Sequence, residues 1–300
     1  MTGNIKAEST KNETDIGLIG LGAMGSGIAH TLLEAGFDLW VYDIDNERVS
    51  SAVAEGALAT DSIMQMCAQC STILLSLPSS DVTVSVIEAD LIPVLGEGSI
   101  VIDLGTTRVE DTQRLHALSL KIGAGLIDAP VSGGVGAAAT GELFVFAGGD
   151  RNVFEACTPV FTAIGGGRVT YCGPSGSGQI TKAVNQLSMG LAEAAYMEAL
   201  AFGVNAGVNV EILDRALGGD GGFRKQIRQV SKRILEGNGD MMDAKSAEYP
   251  YFLDEADRKG FATPVLKALH EFTETLPKTA RDNMNRPYAP LWSALVNRDV

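Results

Sequence analysis

Residues 16–43 read IGLIGLGAMGSGIAHTLLEAGFDLWVYD, and this stretch decides the fold. A short apolar run with strand character comes first, a helical pattern follows, and a second apolar run ends at Asp43. Between the first strand and the helix, Gly20, Gly22 and Gly25 have the GxGxxG spacing of a dinucleotide-binding turn. In such turns the glycines allow a tight bend, a close approach of the pyrophosphate and packing of the helix on the sheet. The stretch therefore predicts a βαβ unit that binds a dinucleotide.

The acidic residue at the end of the second strand bears on which dinucleotide binds. Asp43 lies eighteen residues after Gly25, where a carboxylate can accept hydrogen bonds from ribose hydroxyls and repel a 2′-phosphate. The next residues, Ile44 and Asp45, supply no cation for such a phosphate. These features predict NAD as the cofactor. The glycine motif by itself leaves FAD open, and a glycine-rich turn without a ligand is the structural alternative.

Strand-like and helical segments alternate as far as about residue 175. The further strand-like runs are STILLSLP, SIVIDLG, GLIDAPV, LFVFAGG and GRVTYCG. Strands separated by helices predict an α/β fold with an N-terminal, doubly wound sheet of Rossmann type, and one long helical pattern from Gln179 to Gly203 leads into an all-α C-terminal domain. We expect a disordered tail at 1–14, a dinucleotide-binding domain at 15–175, an interdomain helix at 176–204 and an all-α domain for substrate binding and oligomerisation at 205–300.

Composition and charge exclude several classes of protein. A chain of 300 residues with 45% hydrophobic residues is large enough for two globular domains. The formal charge of −14 repels phosphate backbones and anionic lipids, so we expect neither a nucleic-acid nor a membrane partner. The polar N-terminus has no signal-peptide core, and no apolar run reaches the roughly 20 residues of a membrane span, which predicts a cytoplasmic protein.

Four cysteines raise the question of a metal site. Cys67 and Cys70 have CxxC spacing, but no second pair of ligands follows them. Their segment is typical of a helix running into a strand. We therefore predict no metal site and interpret the cysteines, which include Cys157 and Cys172, as reduced thiols in the core of a cytoplasmic protein.

Two further glycine-rich segments carry candidate substrate ligands. In DAPVSGG, Ser132, Gly133 and Gly134 follow a predicted strand, where a hydroxyl and backbone amides can form a cradle for a carboxylate. A plain glycine turn is the alternative there. The second segment, GPSGSGQITKAVNQ at residues 173–186, carries Lys182.

A lysine at this point of the chain suits hydride-transfer chemistry. The ammonium of Lys182 can stabilise the charge that grows on a carbonyl oxygen and supply its proton, while oxidation needs the neutral amine. Free lysine has a pKa of about 10.4, so we expect burial between the domains to lower it. Asn185 and Gln186 lie three and four residues later and share its helix face. A solvated helix charge is the alternative.

Taken in order, GLIGLGAMG, DAPVSGG and GSGQITKAVNQ resemble the β-hydroxyacid dehydrogenase family, which includes 3-hydroxyisobutyrate dehydrogenases and tartronate semialdehyde reductases. The likeness spans about residues 15 to 215, and the Asn-Gln pair is most similar to the reductases. It implies an NAD-dependent enzyme that interconverts a small 3-hydroxy acid and its semialdehyde or ketoacid. It also implies a homodimer or homotetramer with the active site in the cleft between the domains.

The same resemblance implies roles for individual residues. Lys182 would be the general acid/base. Substrate would be bound or oriented by Ser132, Gly133, Gly134, Asn185 and Gln186. The residues implied for the cofactor are Gly20, Gly22, Ala23, Met24, Gly25, Asp43, Leu77, Pro78, Thr106 and Lys245. Family members commonly have serine where this chain has Gly105, which removes one hydroxyl contact.

The likeness weakens beyond residue 215. The lysine of the family's KDL motif would fall near Ala247, and the nearest lysine is Lys245. Pro250 indicates that the helix starts later here, since proline is tolerated only in the first turn. Either Lys245 takes over from a reshaped loop or the contact is missing.

A second departure is the segment GGDGGFRKQIRQ, where the family often has a serine and an aromatic residue that face the substrate. Arg224, Lys225 and Arg228 place positive charge there in an acidic protein. They form either a basic helix face or a binding site for a second anionic or bulky polar group of the substrate.

Two rival functions follow from the same architecture. Imine reductases, which act on a C=N bond, generally have another residue in place of this lysine. Members that only bind a dinucleotide have lost the lysine. Because Lys182, Ser132 and Gly133 are all present, both alternatives are disfavoured.

Overall fold

The computed structural model describes residues 15–242, 244–280 and 287–296. The predicted tail, residues 1–14, lies outside the described residues. The chain forms two compact units, one that ends at Lys182 and one that begins at Ala183. In the part of the chain that the structure describes, every helix is too short or too polar to cross a membrane.

The first unit is built around a nine-stranded sheet. Its strands are β1 Asp15–Ile19, β2 Asp38–Tyr42, β3 Leu58–Ala59, β4 Thr72–Leu75, β5 Ile100–Asp103, β6 Gly125–Asp128, β7 Val131–Ser132, β8 Phe144–Gly148 and β9 Val169–Gly173. They lie in the order β3-β2-β1-β4-β5-β6-β8-β7, and β9 also pairs with β8. The pairs from β3 to β6 are all parallel, which confirms the predicted Rossmann-type sheet.

One part of the sheet departs from the expected parallel pattern. Strand β8 runs antiparallel to both β6 and β7, whereas β9 is parallel to β8. Only residues 129–130 separate β6 from β7, so no crossover helix intervenes there. Strands β6 and β7 therefore run in the same direction, and the chain reverses only between β7 and β8, through the short helix at Gly134–Ala139.

Helices cover the sheet of the first unit on both faces. They are α1 Ala23–Glu34, α2 Asn46–Ala54, α3 Ile63–Gln69, α4 Ser80–Ser85, α5 Val109–Lys121, α6 Gly134–Ala139, α7 Arg151–Ala156 and α8 Thr158–Gly165, with a π-helical segment at Val86–Leu91. Leu74 and Ile102 belong to one buried cluster, and their strand neighbours Ile73 and Val101 belong to another. Successive side chains of a strand point to opposite faces, so the strands are apolar on both.

Helix α9 runs from Ser177 to Asn205, as the long helical pattern predicted, and the division between the units falls within it. The second unit continues with α10 Val210–Leu217, α11 Gly222–Leu235, a 3-10 turn at Ser246–Glu248, α12 Tyr249–Lys259, α13 Pro264–Glu274 and α14 Leu291–Val296. A short antiparallel pair, β10 Thr279–Ala280 and β11 Pro287–Tyr288, adds strands to the predicted helical region. Pro250 lies in the first turn of α12, as predicted.

Candidate active site

The turn between β1 and α1 has room for a ligand at one glycine and none at the other two. A Cβ atom on Gly20 would lie 2.4 Å from the Ser76 carbonyl oxygen, and one on Gly25 would lie 2.0 Å from the Gly20 oxygen. On Gly22, the nearest atom to a Cβ would be Nη1 of Arg48, 3.9 Å away. The backbone is therefore packed where the turn bends and open at Gly22, which suits the approach of a pyrophosphate.

The carboxylate of Asp43 is tied to this turn. Its side chain is 6% exposed; Oδ2 accepts a hydrogen bond of 2.6 Å from the Leu21 amide, and Oδ1 accepts one of 2.9 Å from the Asp45 amide. The sequence interpretation missed Arg48, whose Nη1 lies 3.8 Å from Asp43 Oδ2 and whose Nε lies 3.2 Å from Asp45 Oδ2. A cation in the first turn of α2 was the signal that could have found it.

The remaining cofactor candidates of this unit lie at the carboxyl edge of the sheet. Leu77 and Pro78 follow β4, and the buried Thr106 follows β5. Strand β1 lies between β2 and β4, so the strand order reverses beside the glycine turn. Open α/β sheets bind ligands at the carboxyl ends of strands at such a switch point. The candidates therefore share the edge at which a dinucleotide is expected.

The DAPVSGG segment forms strand β7 and the start of α6. Ser132 ends β7 and is half-buried, whereas Gly133 and Gly134 are exposed and have φ angles of 134° and 73°. A Cβ atom on Gly133 would lie 2.7 Å from that of Ala137. Both glycines therefore adopt a conformation that other residues rarely take, and their backbone is accessible to a small ligand.

Lys182 is not a solvated surface charge. Its residue is 8% exposed, and its Nζ donates a hydrogen bond of 2.8 Å to the carbonyl oxygen of Val131. Val131 directly precedes Ser132 in β7. The fold thus brings the lysine to the strand that carries the predicted carboxylate cradle, across 51 positions of sequence.

Two buried carboxyl groups at the ends of β5 and β6 were missed by the sequence interpretation. Asp103 ends β5, Asp128 ends β6, and the two residues are register partners. Burial raises the pKa of Asp103 to about 6, although it accepts hydrogen bonds from Thr107 and Gly105. Burial raises the pKa of Asp128 to about 7, and the nearby Asp103 contributes. The signal was present, since both strands end in Ile-Asp.

These carboxyl groups connect to the start of α9. Oδ1 and Oδ2 of Asp128 accept hydrogen bonds from the amides of Gly176 and Gln179, at 2.9 and 3.1 Å. The Gln179 side chain accepts from the Thr107 amide at 3.1 Å and donates to the Gly105 oxygen at 3.0 Å. Helix α9 is therefore bonded both to β6 and to the loop that carries Thr106.

Three predicted site residues lie in the second unit. Nδ2 of Asn185 donates to Oε1 of Gln186 at 3.1 Å, and Nε2 of Gln186 donates to Oε2 of the buried Glu248 at 3.0 Å. The half-buried Lys245 precedes the 3-10 turn that contains Glu248. Gln186 and this turn are therefore brought together, and Glu248 is a contact that the sequence interpretation missed.

The basic residues of α11 have an acidic neighbour, Asp220, just before the helix begins. Nη1 of Arg228 lies 2.9 Å from Oδ1 of Asp220, and the Arg224 guanidinium lies over the Phe223 ring and donates to the Leu217 oxygen. A surface groove of about 320 Å³ is lined by Gly219, Asp220, Lys225, Arg228, Gln229 and Lys232. The positive charge of this helix face is therefore partly neutralised by Asp220.

The cysteines are mostly core residues. Cys67, Cys70 and Cys157 are buried, but Cys172, in β9, is only half-buried, so the core interpretation is wrong for that residue. Burial raises the pKa of the Cys157 thiol to about 12. Within the described ranges, no three His, Cys, Asp or Glu side chains converge in a way that could hold a metal ion.

The sequence and the fold both have relatives among known proteins. Residues 15–173 match the family model for the NAD binding domain of 6-phosphogluconate dehydrogenase. The 2-(hydroxymethyl)glutarate dehydrogenase of Eubacterium barkeri is 30% identical over 82% of this chain and 83% of its own length. The NAD-dependent L-serine dehydrogenase of Pseudomonas aeruginosa is 33% identical over 68% of this chain and 70% of its own.

Solved structures share the fold. The Mycobacterium tuberculosis 3-hydroxyisobutyrate dehydrogenase with L-serine has a TM-score of 0.78 at 23% identity, covering 93% of this chain and 98% of that one. An imine reductase from a Pseudomonas species has a TM-score of 0.59 at 19% identity, covering 93% and 96%. These structures support the fold alone.

The matched NAD-binding domain, the glycine turn and the sheet order define an NAD-dependent oxidoreductase. The chain belongs to the β-hydroxyacid dehydrogenase family, as its three motifs predicted, and it is a dehydrogenase of that family. The prediction of NAD as the cofactor is likewise confirmed.

Proposed function

We propose that this protein oxidises a small 3-hydroxy acid to its semialdehyde or ketoacid, or catalyses the reverse reduction, with Lys182 as the general acid/base. The observation that carries the proposal is the hydrogen bond from the buried Nζ of Lys182 to Val131, one residue before Ser132. A lysine amine withdrawn from water and held beside a candidate carboxylate cradle is suited to proton transfer.

The substrates named for the relatives support this class of molecule. 2-(Hydroxymethyl)glutarate, L-serine and 3-hydroxyisobutyrate each carry a CH₂OH group on the carbon that bears a carboxylate. They differ in the third substituent of that carbon. We therefore propose a substrate with this shared unit, whose carboxylate is bound by the Ser132 hydroxyl and the backbone amides of Gly133 and Gly134.

The residues near the glycine turn would hold the cofactor. The open backbone at Gly22 suits the pyrophosphate, and the carboxylate of Asp43 suits the ribose hydroxyls. Bound NAD would accept the hydride during oxidation, and bound NADH would donate it during reduction.

The proton is the part of the reaction that the chain itself handles. During oxidation the neutral amine of Lys182 would accept the proton of the substrate hydroxyl as the carbonyl forms. During reduction the ammonium would return it and stabilise negative charge on the oxygen. The Val131 carbonyl, which accepts one hydrogen bond from the amine, would orient it toward the substrate.

The other assignments stay predictions. They are the orientation of substrate by Asn185 and Gln186, a cofactor contact from Lys245, the division into a cofactor domain and a substrate and oligomerisation domain, and a dimer or tetramer. A second anionic group on the substrate, as in 2-(hydroxymethyl)glutarate, would give the basic face at Lys225 a role. Imine reduction is the rival activity, and the presence of Lys182 disfavours it.

The test is the rate of NADH formation by wild type and Lys182→Ala over the three acids named for the relatives, together with glycerate and 3-hydroxypropionate. We expect at least one acid to be oxidised and the variant to lose about 10²-fold or more in kcat while it still binds NAD. Lys121→Ala, at an exposed lysine of α5, is the matched control. Full activity in Lys182→Ala would overturn the role of the lysine. Reduction of cyclic imines without any oxidation of hydroxy acids would favour the rival activity.

A further inference from the structure

We propose that Asp128 and Gln179 are positioning residues, which fix the first turn of α9 and thereby place the amine of Lys182. The inference rests on the proposed role of Lys182 and extends it to two residues that lie within the motifs DAPVSGG and GSGQITKAVNQ but have no role in the family resemblance. Neither needs to contact the substrate, because each acts through the helix that carries the lysine.

Asp128 fixes the start of the helix from the side of the sheet. Its two carboxyl oxygens accept hydrogen bonds from the amides of Gly176 and Gln179, groups that have no partner within a helix. Asp128 is completely buried, so these bonds are shielded from water. Burying a carboxyl group is costly, and simpler helix ends use exposed Ser, Asn or Asp. The arrangement gives the first turn one defined position on β6.

Two glycines make this close packing possible. A Cβ atom on Gly178 would lie 2.3 Å from the Phe146 oxygen and 2.5 Å from that of Asp128. A Cβ atom on Gly148 would lie 2.7 Å from the Gly178 nitrogen. The first turn of α9 therefore lies directly on the backbone of β6 and β8. A displacement of the turn would open these contacts together.

Gln179 fixes the same turn to the loop after β5. Its amide side chain bonds to both the Thr107 N–H and the Gly105 carbonyl, and the Thr107 hydroxyl donates to Asp103 at 2.6 Å. The loop includes Thr106, a predicted cofactor contact. These bonds tie the loop to the first turn of the helix.

Lys182 is close enough to this turn to depend on it. It lies three residues after Gln179, roughly 4.5 Å along the helix axis. Its reach to Val131 spans from α9 to β7, so a tilt at the helix start changes where Nζ lies. A displacement of about 1 Å in a catalytic group can cost on the order of 10²-fold in rate.

The experiment compares Gln179→Met and Asp128→Asn with Gln113→Met. Gln113 is the matched control because its side chain also bonds to the glycine run, at the Ser175 oxygen, but is exposed and does not bond to α9. We expect the first two variants to lose about tenfold or more in kcat with a shifted pH profile of kcat. Amides at 176–182 should exchange hydrogen faster in both. The control should match wild type in all three measurements.

A double variant separates positioning from general damage to the fold. In a Lys182→Ala background, Gln179→Met should lower the residual rate less than twofold, because no amine is left to place. Equal losses in both backgrounds would overturn the proposal, as would a kcat within twofold of wild type and an unchanged pH profile for Gln179→Met. If Asp128→Asn does not fold, the result for Gln179→Met tests the proposal by itself. Activity retained by Lys182→Ala would instead refute the proposed function.

Discussion

The guanidinium of Arg48 lies beside the carboxylate of Asp43, with Nη1 3.8 Å from Oδ2, and it is also the group nearest to the open side of Gly22. A carboxylate that repels a 2′-phosphate and a guanidinium that can bind one therefore lie at the same edge of the expected ribose site. We predict that the preference for NAD over NADP depends on Asp43. When Asp43 is replaced, we expect Arg48 to bind the 2′-phosphate of NADP.

For Asp43→Ser we expect a weaker NAD complex and an NADP complex tightened about tenfold or more, because repulsion is lost while the cation stays. Adding Arg48→Gln should cancel most of the gain for NADP. Titration of cofactor binding by fluorescence measures both effects, with Arg151→Gln on α7 as the control. Equal gains with and without Arg48 would contradict the prediction.

Gly22→Ala should separate binding from stability. Gly22 has a φ of −63°, and no atom lies closer than 3.9 Å to its Cβ position, so alanine fits the folded chain. The methyl group would project into the space that suits the pyrophosphate. We expect an unchanged Tm but a dissociation constant for NAD raised about tenfold or more. Gly96→Ala, also at an open position, should change neither quantity, and normal binding by Gly22→Ala would show that the pyrophosphate lies elsewhere.

Gly178→Ala should destabilise the first unit. The new methyl group would meet two backbone oxygens, of Phe146 and Asp128, and backbone cannot move aside as a flexible side chain can. Overpacking of this kind costs about 1–3 kcal/mol. Urea unfolding of the variant should show this loss, whereas Gly167→Ala, at an exposed position with nothing within 4 Å, should match wild type. Comparable stability of the two variants would be the contrary result.

The buried carboxyl groups predict how stability varies with pH. The pKa values of Asp103 and Asp128 are raised from 3.8 to about 6 and about 7, so the folded chain retains protons that the unfolded chain releases near pH 4. The two groups therefore stabilise the folded chain most below about pH 4, and this stabilisation is lost as the pH rises to about 7. Urea unfolding between pH 5 and 8 should show this decline, and Asp128→Asn should reduce its slope. An equal slope in the variant would mean that Asp128 ionises normally.

Local patterns were sufficient to predict the glycine turn and the parallel part of the sheet in the first unit. The glycine turn at residues 20–25, the acid at Asp43 and the alternation of apolar runs with helices predicted the sheet and NAD, because neighbours in sequence form these features. Pro250 predicted a helix start nearby for a similarly local reason, since its ring crowds the preceding turn and is tolerated only where no such turn exists.

The contacts around Lys182 were decided only by the tertiary structure. Lys182 is hydrogen-bonded to Val131 and Asp128 to Gln179, each across 51 positions of sequence. Gln179 is hydrogen-bonded to Thr107 across 72 positions. The antiparallel direction of β8 likewise depended on its neighbours in the sheet. A pattern of residues records which groups can form hydrogen bonds, but the partner of each buried group is settled by packing. The motifs therefore drew attention to the lysine, and the fold supplied its hydrogen bond to the carbonyl of Val131.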